Sequence, residues 1–537
     1  MGTSDPNRAS SQDPRQSGAV EAPPVSLGGT LLRIGPGLII AGNIVGSGEL
    51  IATTAAGAEA GFWLLWLIIL GCLVKVFTQV EFGRYTIIHG ETSLHALNGV
   101  PGPRLRRRGN WMVWMWLAYV FFGIAQLGAI VGGVGQALAI SVPITEQGRR
   151  HNDLVDARTE LHVKRRYLEL VQTRTPQLTR RQEAELVNLQ EEIPTIEQRI
   201  QELGGDRETD SQDDRIWAAI ISVITAGLLV VGRYGLIQGF ATVLVVGFSL
   251  VTILNLILLQ LNPTLAVSGQ EFISGLQFQL PPTDTSGPAD GDPYAGVTTA
   301  LMALGIIGVG AAELVFYPYW CLEKGYARYT GPRDNSEGWI ERARGWMRVL
   351  KVDAWCSAAI YTFATVAFYL VGAATLGRFN LEAEGTEMIR TLAVMYEPVF
   401  GDYAAVVFLT GAVAVLYSTF FVANASHARV LADSLRLVGL PVTSEEDRRR
   451  WVKILSVVFP FLCLVVYLFI RAPKTLVLIG GGVQALMLPL LAGAALYFRY
   501  RRGDPRLEPG KVWDSFLWIS ALAMLLAGLA LVVIKFL

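Results

Sequence analysis

VGSGEL at residues 45–50 and VGAAEL at residues 309–314 each place a carboxylate after a valine, a glycine and two small residues, inside a long apolar run. Gly46 and Gly48 precede one glutamate, and Gly308 and Gly310 precede the other; such residues make poor helix centres because glycine brings no side-chain constraint. Both runs are long enough to cross a bilayer, which takes about 20 mainly apolar residues. The reading is therefore a broken spanning helix at each glutamate. Broken helices at matching places in two halves of a chain point to a transporter site, where unwound carbonyls and helix ends meet a solute.

Working outward from these two stretches, apolar runs at 34–58, 62–88, 111–141, 215–233, 237–261, 295–320, 350–377, 401–425, 452–470, 474–498 and 512–535 give eleven expected spans. Five spans separate the two breaks. An odd number reverses direction, so spans 1–5 and 6–10 fit two inverted five-helix repeats, with an eleventh span appended. The composition agrees: 52% hydrophobic and only 17% charged residues place the chain in the membrane class. Zero formal net charge gives no sign of a nucleic-acid partner. The lipid bilayer and a small ion or solute are the expected partners.

The loops sort by charge. RLRRR at 104–108, Arg233, the stretch 324–351, residues 447–453 and RYRRGDPR at 499–506 fall on one side, whereas 262–296 has no Lys or Arg. Cytoplasmic loops keep their basic residues. The expectation is an integral protein of the plasma (inner) membrane, N-terminus cytoplasmic and C-terminus external, with Arg471 and Lys474 as exceptions. Residues 1–30, rich in Ser, Pro and Gly, read as a disordered cytoplasmic tail. Spans 1–3 fill 31–142, and spans 4–11 fill 215–537.

Between them, 143–214 is too charged for the bilayer. Leu154, Leu161 and Leu168, then Leu189, Ile196 and Leu203, recur every seven residues on either side of TRTPQLT at 173–179. An extramembrane antiparallel helical hairpin is expected there, with Pro194 interrupting its second arm. It suits a solvated structural role, or contact with a partner or a second copy.

Glu49 and Glu313 are the candidate metal ligands, since an ionisable group near mid-membrane is costly and functional by default. Ser47, Asn43 and the carbonyls of Val309 and Gly310 add neutral oxygens, a set suited to a hard divalent ion such as Mg²⁺, Mn²⁺ or Ca²⁺. The structural alternative keeps each glutamate protonated and hydrogen-bonded within the bundle. Tyr317 is a candidate for lining the pathway. Glu81 and Arg84 read as a helix-face pair beside Lys75, Asp353 as a helix cap, and His427 as solvated. Cys72, Cys321, Cys356 and Cys463 lack metal-site spacing and read as reduced core residues. No HExxH, GxSxG or Walker sequence is present, so neither an enzyme nor an ATP-driven pump is expected, and no cofactor.

GPGLIIAGNIVGSGELIATTAAGAEAGFWLLWLIILGCLVKV at 35–76 resembles the opening of the Nramp divalent-metal transporters, which place a DPGN motif eight residues after GPG. GIIGVGAAELVFYPYW at 305–320 falls where that family has its methionine-proline-histidine motif; 352–368 and 483–498 resemble its seventh and tenth spans. The resemblance implies an all-helical LeuT-type fold and transport of a divalent ion by alternating access. Carried over residue by residue, the DPGN aspartate falls on Gly46, its proline on Ser47 and its asparagine on Glu49. The methionine ligand falls on Ala312, the next proline on Glu313 and the histidine on Leu314. A tenth-span glutamine ligand falls on Gly481, and the acidic pair of the third span, tied to proton movement, on Gln126 and Ala129. The chain thus reads as a divergent member lacking the usual motifs. Two further readings stay open: a symporter of a small organic solute with Glu49 and Glu313 as proton or sodium sites, and a non-transporting receptor of the same fold.

Overall fold

The computed structural model describes residues 20–105, 108–174, 180–205, 210–231, 234–282, 294–440 and 442–536. Proline at the first helical position, where a missing N–H does no harm, starts the first span at Pro36–Ile44. The helix stops at Ile44 and re-forms through a wide π turn, Ser47–Thr53, into Thr54–Ala60. The sixth span breaks likewise: Ala295–Leu304 unwinds over 305–310 and resumes as Ala311–Lys324. Gly308 lies in this gap at φ +56°, a conformation that side chains other than glycine's resist.

Among the described residues nine helices are long and apolar enough to cross a membrane. The helix Tyr234–Leu259 and the broken sixth span complete the expected eleven. The third span, Trp111–Ser141, is central, packing against the fourth (Asp213–Val231), eighth (Ala404–Leu437), ninth (Glu445–Phe469) and tenth (Pro473–Tyr497). The second, Leu65–His89, lies along the seventh.

Several boundaries differ from expectation. The seventh span begins at Glu337, well before 350, because Trp339 and Trp346 bury one face of the charged stretch and Ser336 caps its start. The tail is already ordered at residue 20: Glu21 donates its N–H to the Tyr329 carbonyl at 3.0 Å, Trp346 Nε1 donates to the Glu21 carbonyl at 3.1 Å, and Leu27–Arg33 is helical. Residues 1–19 lie outside the described ones.

The insertion forms two helices, Glu146–Arg174 and Arg180–Leu203, packed through Leu154, Ala157, Ile196 and Ile200. Lys164 pairs with Glu192 at 2.5 Å while Arg158 donates to the Gly205 carbonyl, so the arms run antiparallel. Most of the expected turn, 175–179, lies outside the described residues. Pro194 does not interrupt its helix; Gln190, whose carbonyl loses a donor, is solvent-exposed, so water can replace the missing bond. This apolar seam is short, and the hairpin leans on its own chain. Arg390 pairs with Asp156 and donates to Asn152 at 2.7 Å, His151 meets Glu387 at 3.0 Å, and His162 meets the Phe379 carbonyl at 3.1 Å.

Candidate functional site between the two broken helices

An end of each broken helix is capped by a charge from another span. Asp353, on the seventh, accepts N–H bonds from Gly35 and Gly37, both at 2.7 Å, so a carboxylate caps the start of the first span. Lys75, on the second, donates to the carbonyls of Leu304, at 2.6 Å, and Ile307, so an ammonium caps the end of the first half of the sixth. The caps have opposite charge at opposite helix ends, as the helix dipole favours. Asp353 is a helix cap as read, though of the first span and not of its own, and Lys75 is fully buried, away from the Glu81–Arg84 pair.

The glutamates cross between the breaks. Glu313 accepts from the Asn43 side-chain amide of the first span. Glu49 accepts from Thr365 Oγ1 at 2.9 Å and lies beside the Gly308 amide of the sixth. A line of amides joins the same segments through spans three and ten: the Ala312 N–H donates to Gln484 Oε1 at 2.9 Å, Gln484 Nε2 to Gln126 Oε1 at 3.0 Å, and Gln126 Nε2 to Ser47 Oγ at 3.4 Å.

These groups surround a cavity with about 20 Å³ of free space, room for one water-sized occupant. Of the expected site residues, Asn43, Ser47, Ala312, Glu313 and Gln126 line it. Glu49, Gly46, Val309, Gly310 and Tyr317 do not. Glu49 is fully buried against Thr365, so the two carboxylates do not converge on one cavity. Tyr317 donates to Asp353 at 2.9 Å, supporting the cap of the first span. Glu313 Oε2 and Asn43 Oδ1 are buried with no hydrogen-bond partner among the described residues, and both belong to the lining. Among those residues no group of three or more His, Cys, Asp or Glu side chains assembles.

The sequence model of the natural resistance-associated macrophage protein-like (Nramp) family matches residues 211–534. The chain belongs to this family. Similar solved structures include the manganese transporter of Eremococcus coleocola. A single-substitution mutant is 15% identical, with TM-score 0.57 over 95% of this chain and 88% of that one. Its complex with an aromatic bis-isothiourea compound is 13% identical, with TM-score 0.56 over 95% and 88%. At this identity the likeness establishes the fold, two inverted five-helix repeats of the LeuT type. No curated protein matches the chain in sequence.

Nramp membership accounts for the frame of broken helices. At Gly46, onto which the resemblance carries the family's metal-binding aspartate, a Cβ would overlap Thr419 Oγ1 of the eighth span. The polar group of the tenth span is Gln484, one helical turn beyond Gly481; Gly481 instead packs against the Met302 carbonyl of the sixth. His427, read as solvated, is 2% exposed and lines the cavity.

On the hairpin side, Lys474 at the start of the tenth span pairs with Glu59, at the end of the first, and with Glu384, each at 2.8 Å. Thr299 of the sixth span donates to Glu59 at 2.6 Å. Arg471 likewise pairs with Asp210 at 3.0 Å, so both basic exceptions to the charge sorting are neutralised by carboxylates. The Lys474 pair ties together three spans that must separate if the site is to open on this side. Lys474→Met should destabilise the closed form by about 1–2 kcal/mol, a factor of about 5–30 in population. Faster labelling of an introduced Ala58→Cys by a water-soluble thiol reagent would register it, since Ala58 lines the vestibule beside Lys474; an unchanged rate would remove the latch.

Proposed function

We propose that the chain carries a divalent cation across the membrane by alternating access, taking the ion into the cavity between the breaks of spans one and six. The observation that supports this reading is the pair of buried, unpartnered oxygens, Glu313 Oε2 and Asn43 Oδ1, on residues that line a space of water-molecule size. One charge and neutral oxygens suit a cation. The space is far too small for an organic solute of ordinary metabolite size, which favours an ion over the symporter reading. Ser47 and the Gln126–Gln484 pair extend the oxygen set. Because a manganese transporter shares the fold, Mn²⁺ is the first ion to test, with Mg²⁺ and Ca²⁺ beside it.

The same reading sets the protein in the plasma (inner) membrane, with the arginine-rich loops and N-terminus in the cytoplasm and the hairpin and C-terminus outside. Uptake of Mn²⁺, Mg²⁺ and Ca²⁺ into proteoliposomes tests the function directly. Accumulation of at least one ion, competed by the others, is the expected result. An empty outcome for all three, with intact folded protein, would return the organic-solute and receptor readings.

A further inference from the structure

We propose that His427 supplies a nitrogen ligand to the transported cation, joining Glu313 and Asn43 in the lining of the cavity between the broken helices. The inference rests on the cation-transport reading and adds a donor from the eighth span, outside the positions of both family motifs.

The imidazole lies on the eighth span, 2% exposed. Its Nδ1 stands 2.9 Å from the Ala423 carbonyl one turn earlier. A carbonyl can only accept, so Nδ1 carries the proton and Nε2 a free lone pair. No described residue partners Nε2. Rings hold the imidazole in place: Phe316 lies edge-on at 5.0 Å, Phe459 at 5.7 Å, and Trp116 and Tyr119 at 6.1 Å each. Glycine at 123 on the third span leaves this nitrogen room, because a Cβ there would stand 2.8 Å from Nε2.

This is the arrangement of a ligating histidine, whose second ring nitrogen donates to a backbone carbonyl and so fixes the tautomer and ring direction. Glu313 is the one carboxylate in the cavity lining, which holds no Lys or Arg to compete for the nitrogen. The donors around the space are therefore oxygen and imidazole nitrogen. Imidazole favours first-row transition ions, whereas Mg²⁺ and Ca²⁺ are served by oxygen alone. His427 thus takes over, from a different helix, the softer-donor role lost where Ala312 replaces methionine.

Pulsed electron paramagnetic resonance of Mn²⁺ bound to the full chain in detergent tests this on the wild type alone. Modulation from one imidazole ¹⁴N is expected, with loss of that signal and about tenfold weaker Mn²⁺ binding in His427→Gln. Mg²⁺ affinity should change less than twofold. Gly123→Ala, which keeps the histidine but crowds its lone pair, should weaken the nitrogen coupling as well. Mn²⁺ bound in a Glu313-dependent manner without nitrogen coupling would overturn the proposal and leave cation transport standing. Wild type that binds no Mn²⁺ would overturn both.

Discussion

Glu313→Gln is expected to abolish Mn²⁺ uptake at concentrations that saturate the wild type, while Glu49→Gln retains uptake within a few-fold. The two glutamates sit in the same sequence frame and each keeps a buried Oε2 with no described partner, yet only Glu313 lines the cavity. Glutamine there keeps the volume and can still meet Asn43, but removes the one carboxylate charge in the lining. Loss of a charged ligand in a dry site is worth about 3 kcal/mol, or roughly a hundredfold in affinity. Glu49 instead accepts from Thr365 at 2.9 Å and has no exposed surface. A glutamine carbonyl can accept the same hydrogen bond, so the change should appear in thermal stability, about 1–3 kcal/mol, more than in transport. Isotope uptake into proteoliposomes, normalised to folded protein, separates the cases. Equal loss in both variants would mean that Glu49 also reaches the ion, in a state other than this one.

The difference between the two glutamates marks where sequence reading stops. Apolar runs located the spans, and Gly46, Gly48, Gly308 and Gly310 located both breaks, because length and backbone freedom are local properties. Side-chain direction at a break is not. Glu49 leaves a wide π turn, Ser47–Thr53, whereas Glu313 sits in the first turn of a regular helix, so equal spacing from a glycine aims them differently. The Nramp resemblance shares the limit: aligning the tenth span placed its ligand on Gly481, though the amide that lines the cavity is one turn further, at Gln484. His427 carried no signal beyond its residue type, since what leaves Nε2 free is a glycine some 300 positions earlier. The partners of Lys75 and Asp353 are illegible in sequence for a related reason. Each satisfies backbone groups more than 200 residues away, left unpaired because another helix ends or starts there. The hairpin was visible as two heptad seams, but its docking through Arg390 was not, because both partners are ordinary surface residues in sequence.

Lys75→Met should be the most destabilising single substitution in the membrane core, by about 3–5 kcal/mol. It leaves the carbonyls of Leu304 and Ile307 without their donor and strips both buried glutamates of the cation that faces them. Part of that loss comes from uncompensated carboxylate charge, so it is recoverable: the double variant Lys75→Met with Glu49→Gln should regain about 1–2 kcal/mol over the single one. Thermal inactivation half-lives in detergent are the suitable measure, because a membrane protein of this size rarely unfolds reversibly. Additive losses would show that Lys75 serves the helix end alone. A positive coupling would show that it also balances the glutamates. In that case the break in the sixth span is kept open by a residue of the second, before any cargo arrives, and Glu313 stays free to face the cavity because Lys75 is already committed to the carbonyls behind it.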